Sequence, residues 1–310
     1  MAGGGDSTRA IFFALGANLA IAASKGAAAF FTGSSAMLAE TVHSVADCGN
    51  QVLLLIGVRQ SQKPPSPNYP LGYGKAIYFW SFLVAVMLFT IGGMFSLYEG
   101  IHKLTSAEPL KDWWWAAGVL TFGVIAEGIS MRACMQEVNK ARGGRSLAQW
   151  FRETRQGELL VIFGEDLAAL AGLVLALVAV MLSVITGNPI WDAIGTIGIG
   201  VLLIVVAVMV GIGIKAMLIG QSMDPLRERE LCDFLKARPE IERVLNLITV
   251  QLGSHAVVSV QAQMRETANA VSMVHAINTV EREMKALFPE VRWSFFEPDL
   301  PDTSGVAVND

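Results

Sequence analysis

Apolar residues fill long blocks over the first two thirds of the chain, with polar residues gathered between them; beyond Met223 the apolar runs are short and alternate with charges. A membrane-spanning helix needs about 20 predominantly apolar residues. Six stretches meet that length: roughly Arg9 to Phe31, Ser35 to Val58, Ala76 to His102, Trp113 to Met135, Leu159 to Ile185 and Ile190 to Leu218. The first runs too long for a removable signal peptide, shows no cleavage pattern and meets a second apolar block at once, so it reads as the first span. The tail has different periods. Residues 224–237 repeat leucine and phenylalanine at helical spacing and stop before Pro239. Residues 244–252 and 256–264 are rich in Val, Ile and Leu around a Gly-Ser-His turn and read as strands. A second helix over 271–287 and a last strand over 291–296 complete the order helix, strand, strand, helix, strand. The predicted fold is a membrane all-α domain of six transmembrane helices over residues 1–221, then a small α+β ferredoxin-like domain over 222–310.

Composition agrees with a membrane chain. Of 310 residues 53% are hydrophobic and only 16% charged, with a mean hydropathy of +0.49; about 25% charged is usual in soluble domains. Basic residues collect after the second span (Arg59, Lys63, Lys75) and after the fourth (Lys140, Arg142, Arg145, Arg152, Arg155). Short loops rich in Lys and Arg stay cytoplasmic, which puts the tail and both termini of a six-span chain on that side. The arginines between Asn139 and Gln156 suit anionic lipid headgroups or the tail itself. A net charge of -4 suggests no nucleic-acid partner. Cys48, Cys134 and Cys232 are too far apart in sequence for a CxxC ligand pair and rule out a disulfide framework.

Within the second span one face is polar. His43 and Asp47 lie four residues apart, hence one above the other on a helix, and Glu40, Asn50 and Gln51 extend the stripe. An ionisable group in a spanning helix costs on the order of +2.5 to +3.5 kcal/mol on insertion scales, so such groups point to function. Imidazole and carboxylate so placed make half of a divalent-metal site. Elsewhere in the apolar blocks the fifth span carries Glu165 and Asp166, the fourth Glu127, and the first Lys25 and Asn18. Structural alternatives stand beside each. Asp166 could pair with Lys25, Glu127 and Asn18 read by default as interhelical hydrogen-bonding residues, and Asp192, next to Pro189, as a cap or dipole partner of the sixth span.

These residues carry a resemblance. Ser34-Ser-Ala-Met-Leu-Ala-Glu-Thr-Val-His43-Ser-Val-Ala-Asp47, Tyr69-Pro-Leu-Gly-Tyr-Gly-Lys75, Gly164-Glu165-Asp166-Leu-Ala-Ala-Leu and Asn188-Pro-Ile-Trp-Asp192-Ala-Ile-Gly195 resemble the cation diffusion facilitator family of divalent metal transporters, and within it the branch around human zinc transporter nine. The resemblance implies a homodimeric exporter of a divalent cation in exchange for protons, and a metal site with two ligands each from the second and fifth spans. Carried over, it names His43, Asp47 and Asp166. The expected partner four residues before Asp166 is Ile162, which cannot bind metal; Glu165 is the nearest substitute. The implied cargo is Zn²⁺, with Mn²⁺, Fe²⁺ or Co²⁺ as the alternative, and no prosthetic group is implied. A non-transporting metal-sensing membrane subunit is the second reading.

An enzyme is not expected, because no HExxH occurs and the membrane half holds one deeply placed histidine. The tail offers only His255, His275, Glu297 and Asp299 as metal donors, with Gln261 mid-strand, so it reads as a dimerisation module. With no transit or signal pattern, the bacterial inner membrane is the simplest placement.

Overall fold

The computed structural model describes residues 19–105 and 112–301. Asn18 and the N-terminal half of the first predicted span lie outside them. The described elements are α1 (Leu19–Thr32), α2 (Ser35–Ser61), α3 (Ala76–Thr105), α4 (Trp113–Ala141), α5 (Leu147–Glu153), α6 (Gly157–Thr186), α7 (Ile190–Ile219), α8 (Pro225–Lys236), β1 (Ile241–Leu252), β2 (His255–Met264), α9 (Ala270–Leu287) and β3 (Val291–Pro298). Four of them, α3, α4, α6 and α7, are long and apolar enough to cross a membrane. The 27-residue α2 is long enough, but its polar stripe lowers its hydropathy; α1 is a shorter apolar helix.

Two compact units divide the chain. The first takes in most of α1 to α7. Its helices approach through glycine: a Cβ at Gly93 would sit 2.5 Å from Ile204 and one at Gly200 would sit 2.7 Å from the backbone nitrogen of Leu97, so α3 and α7 touch backbone to backbone. At Leu88–Met94, which holds the Gly92-Gly93 pair, α3 widens into a π-helical segment, a feature frequent at functional sites. The start of α2 is secured from a distance. The Asp192 carboxylate of α7 accepts hydrogen bonds from Ser34 Oγ (2.6 Å), Ser35 N (2.8 Å) and Ser35 Oγ (2.9 Å). Asp192 is therefore a helix cap, as its type suggests, yet the helix it caps is α2, because the α2 and α7 N-termini lie at the same end of the unit.

The stretch read from sequence as a loop after the fourth span differs. There α4 continues to Ala141 and α5 follows, because Trp150 is fully buried with Cys134, Val138 and Phe163, its ring edge-on to Phe163 at 5.6 Å. A buried indole can hold about two turns of helix where charge alone would leave a loop.

Residues 60–76, 153–156 and 216–310 form the second unit. Its sheet has the order β1-β2-β3, with β1 antiparallel and β3 parallel to β2. Ala256, Val258, Val260 and Ala262 of β2 face a core shared with Leu231, Leu235, Val280, Met284 and Phe288, the period-two burial expected of a strand. Asp224 caps α8 and Asn269 caps α9. The βαββαβ unit of the ferredoxin-like class has four strands; among the described residues this sheet has three. Two polar clamps hold the entry to the tail: Lys75 Nζ donates to Leu218 O (3.4 Å) and Arg155 Nε to Ser222 O (2.7 Å). Gly74 lies so close to the β1–β2 turn that a Cβ there would fall 2.2 Å from Leu252 O.

Candidate metal transport site

The polar stripe of α2 turns inward at the middle of the first unit. His43 is fully buried, with Nε2 3.6 Å from Asp47 Oδ2, too long for a hydrogen bond. Neither ring nitrogen of His43, nor Oδ1 of Asp47, has a hydrogen-bond partner among the described residues. Buried polar atoms are rarely left unmatched, and a cation is the partner that would satisfy an imidazole and a carboxylate together. A Cβ at Gly92, in the π-helical turn of α3, would lie 3.9 Å from His43 Nδ1, so that wide turn leaves room beside the ring.

Facing Asp47 is a cavity of about 100 Å³. From α2 it is lined by Asp47 and Gln51, from α6 by Glu165, Asp166 and Ala169, and from α4 by Glu127 and Ser130. Glu165 is only 8% exposed and accepts a 2.6 Å hydrogen bond from Asn50 Nδ2; Asp166 is half-buried and accepts one of 3.2 Å from Ser130 Oγ. The rotation of α6 explains the absence of a donor at Ile162: that residue is 40% exposed and points out of the unit, so Glu165 and Asp166 straddle the inward face instead. Four carboxylates from three helices thus surround one small space.

The suggested pairing of Asp166 with Lys25 is not what the chain forms. Lys25 Nζ, 1% exposed, meets Glu40 Oε2 at 3.2 Å and Ser44 Oγ at 2.8 Å. Glu40 is one turn before His43, and its carboxylate neutralises the lysine where both are out of water. Asp166 is left to the cavity. Among the described residues no three His, Cys, Asp or Glu side chains converge closely enough to hold an ion as they stand. A metal could be held here only if side chains swung inward or helices closed.

In the tail no three of the predicted donors come together among the described residues. His255 stands edge-on to Trp293 at 6.4 Å, and burial, then the Arg292 charge, hold its pKa below the ordinary value. His275 sits on α9, and Asp299 accepts from Gln261 Nε2 at 2.7 Å.

Glu127, read from sequence as an interhelical hydrogen-bonding residue, and Ser130, not singled out there, both line the cavity. Their signal was present: three residues apart in the fourth apolar block, they share a helix face.

Comparison with known proteins decides the family, for the cation efflux transmembrane domain matches residues 11–214. The chain belongs to the cation efflux family. Its membrane half carries the cation efflux transmembrane domain, and four of the described helices are long and apolar enough to cross a membrane. It is 32% identical over 225 residues to the mitochondrial proton-coupled zinc antiporter SLC30A9 of Xenopus laevis, which covers 72% of this chain and 40% of that protein. Metal tolerance protein C4 of Arabidopsis thaliana is 33% identical over 232 residues, 74% of this chain and 51% of the relative. The cation-efflux pump FieF of Escherichia fergusonii is 24% identical over 263 residues, 84% and 82% of the two chains. This chain thus spans about two fifths of the length of the zinc antiporters and about half that of the plant protein.

Proposed function

We propose that this cation efflux protein is a zinc/proton antiporter that moves Zn²⁺ out of the cytoplasm through a site built from His43, Asp47, Glu165 and Asp166. The observation that carries this reading is the unmatched His43–Asp47 pair, with Asp47 opening on the cavity that Glu165 and Asp166 line from α6. Imidazole and carboxylate are zinc ligands. These groups must shed protons to bind a metal and can regain them on release, so metal and protons compete at one place. The relatives named proton-coupled zinc antiporters support the same pairing of cargo and counter-ion.

Six spans with cytoplasmic termini, a metal-transporting domain over 1–221 and a ferredoxin-like dimerisation domain over 222–310 complete the proposal. In its support, the basic loop after α2 and the segment before α6 belong to the same compact unit as the tail. The tail sheet also exposes two apolar side chains on one face, Ile248 (55%) and Phe295 (57%), on either side of the half-buried Ser259; a second copy would cover this row. The bacterial inner membrane is the proposed location.

The test is zinc flux in proteoliposomes under an imposed pH gradient. His43→Ala and Asp47→Ala, shown to be inserted and folded, lose pH-driven flux; transport at the wild-type rate would mean that the site is assigned wrongly. The oxygen-rich lining favours one second reading, export of Mn²⁺, Fe²⁺ or Co²⁺, and flux competition among these ions separates it from zinc. Metal binding without flux would identify a sensing subunit.

A further inference from the structure

Glu127 of α4 lies outside the two-helix set, yet the packing of α4 against α6 fixes where it points. A Cβ at Gly123 would sit 3.0 Å from Leu173, Ser130 donates to Asp166, and Cys134 packs in one cluster with Phe163. As residue numbers rise on α4 they fall on α6, so the pair is antiparallel and its register is pinned on both sides of Glu127. Glu127 therefore stands near the level of Ala169, and both line the cavity with Asp47, Glu165 and Asp166. Four carboxylates around one space repel one another unless protons or a cation are shared among them, and a site that exchanges the two needs that arrangement. Asp47 Oδ1, buried and without a hydrogen-bond partner among the described residues, belongs to this same lining and marks it as a place that receives a ligand.

We infer that Glu127 is a metal ligand contributed by α4, the donor that makes up for the outward-facing Ile162. This inference rests on the His43, Asp47, Glu165 and Asp166 site proposed above. A further carboxylate makes the set richer in oxygen, and oxygen donors favour Mn²⁺ relative to Zn²⁺, whereas a thiolate favours soft ions such as Cd²⁺. Glu127 is thus a residue that sets which divalent cations are accepted, while Ser130, one turn away, orients Asp166.

The experiment uses the full chain in proteoliposomes with Zn²⁺, Mn²⁺ and Cd²⁺ as separate probes. In Glu127→Gln the half-saturating concentration rises about tenfold or more, and more for Mn²⁺ than for Zn²⁺. Glu127→Asp restores part of the Mn²⁺ response, and Glu127→Cys shifts preference toward Cd²⁺. A merely structural glutamate would not reorder the three metals. If Glu127→Gln and Glu127→Cys leave all three half-saturating concentrations unchanged while His43→Ala abolishes flux, the role of Glu127 is overturned and the central site stands. If His43→Ala transports normally, the central site itself fails, and Glu127 with it. Should Glu127→Gln fail to insert, the metal order of the Asp and Cys variants decides the question alone.

Discussion

At the scale of single residues, the membrane half is governed by how each costly charge is compensated. Lys25 Nζ donates to Glu40 Oε2 and to Ser44 Oγ, so the two opposite charges offset one another; His43 has no such counter-charge at hydrogen-bonding distance among the described residues. Breaking a buried ion pair by removing one partner costs about 3 to 5 kcal/mol, whereas removing both is far milder. Lys25→Met is therefore expected to lower the thermal unfolding midpoint of the detergent-solubilised protein sharply, and Lys25→Met with Glu40→Gln to recover most of it. Equal midpoints for the single and double variants would show that the pair does not compensate charge. The sequence displayed every one of these polar residues but not who pairs with whom. Lys25 could reach either Asp166 or Glu40, and only the approach of α1 to α2 chose Glu40.

At the scale of elements, close helix packing depends on particular glycines. Gly200 meets Leu97 N and Gly93 O, at 2.7 and 2.9 Å from where a Cβ would stand, while Gly198 on the same helix has nothing within 4 Å. Backbone atoms cannot rotate away. Gly200→Ala should destabilise the protein by about 1 to 3 kcal/mol, and Gly198→Ala should be neutral or slightly stabilising through its better helix propensity. Thermal melts of the two variants side by side check this, and equal melts would contradict the α3–α7 contact. Helix starts were legible: Ser35, Ala76, Trp113 and Ile190 all begin helices where the apolar blocks begin. The α5 helix was not, because its cause is Trp150 packing onto residues of α4 and α6 that are distant in sequence. Asp192 was recognisable as a cap from residue type and position, but the helix it caps lies 157 residues away in sequence.

At the scale of the whole molecule, the second unit gathers the tail with the loop after α2 and the segment before α6. The proposed dimer adds a prediction at this scale. Ile248→Asp with Phe295→Asp, placed on the exposed row of the sheet, should turn a dimer into a monomer in detergent, as read by light scattering, without unfolding the core on the opposite face. An unchanged mass would move the interface elsewhere.

Hydrophobic block length and charge placement by themselves determined that this chain is a membrane protein with a small α+β tail. They also singled out His43 and Asp47, since buried charge is expensive enough to be conspicuous in one dimension, while Asp166 and Glu165 were named through the family resemblance. Tertiary structure decided the rest: that α6 turns Ile162 outward and Glu165 inward, that Glu127 joins the cavity from α4, and that Lys25 is spent on Glu40. The physical reason is that helix rotation and register are set by side chains and glycines packing between segments far apart in the chain. Periodicity within one helix says which residues share a face, and only the neighbouring helices say what that face meets.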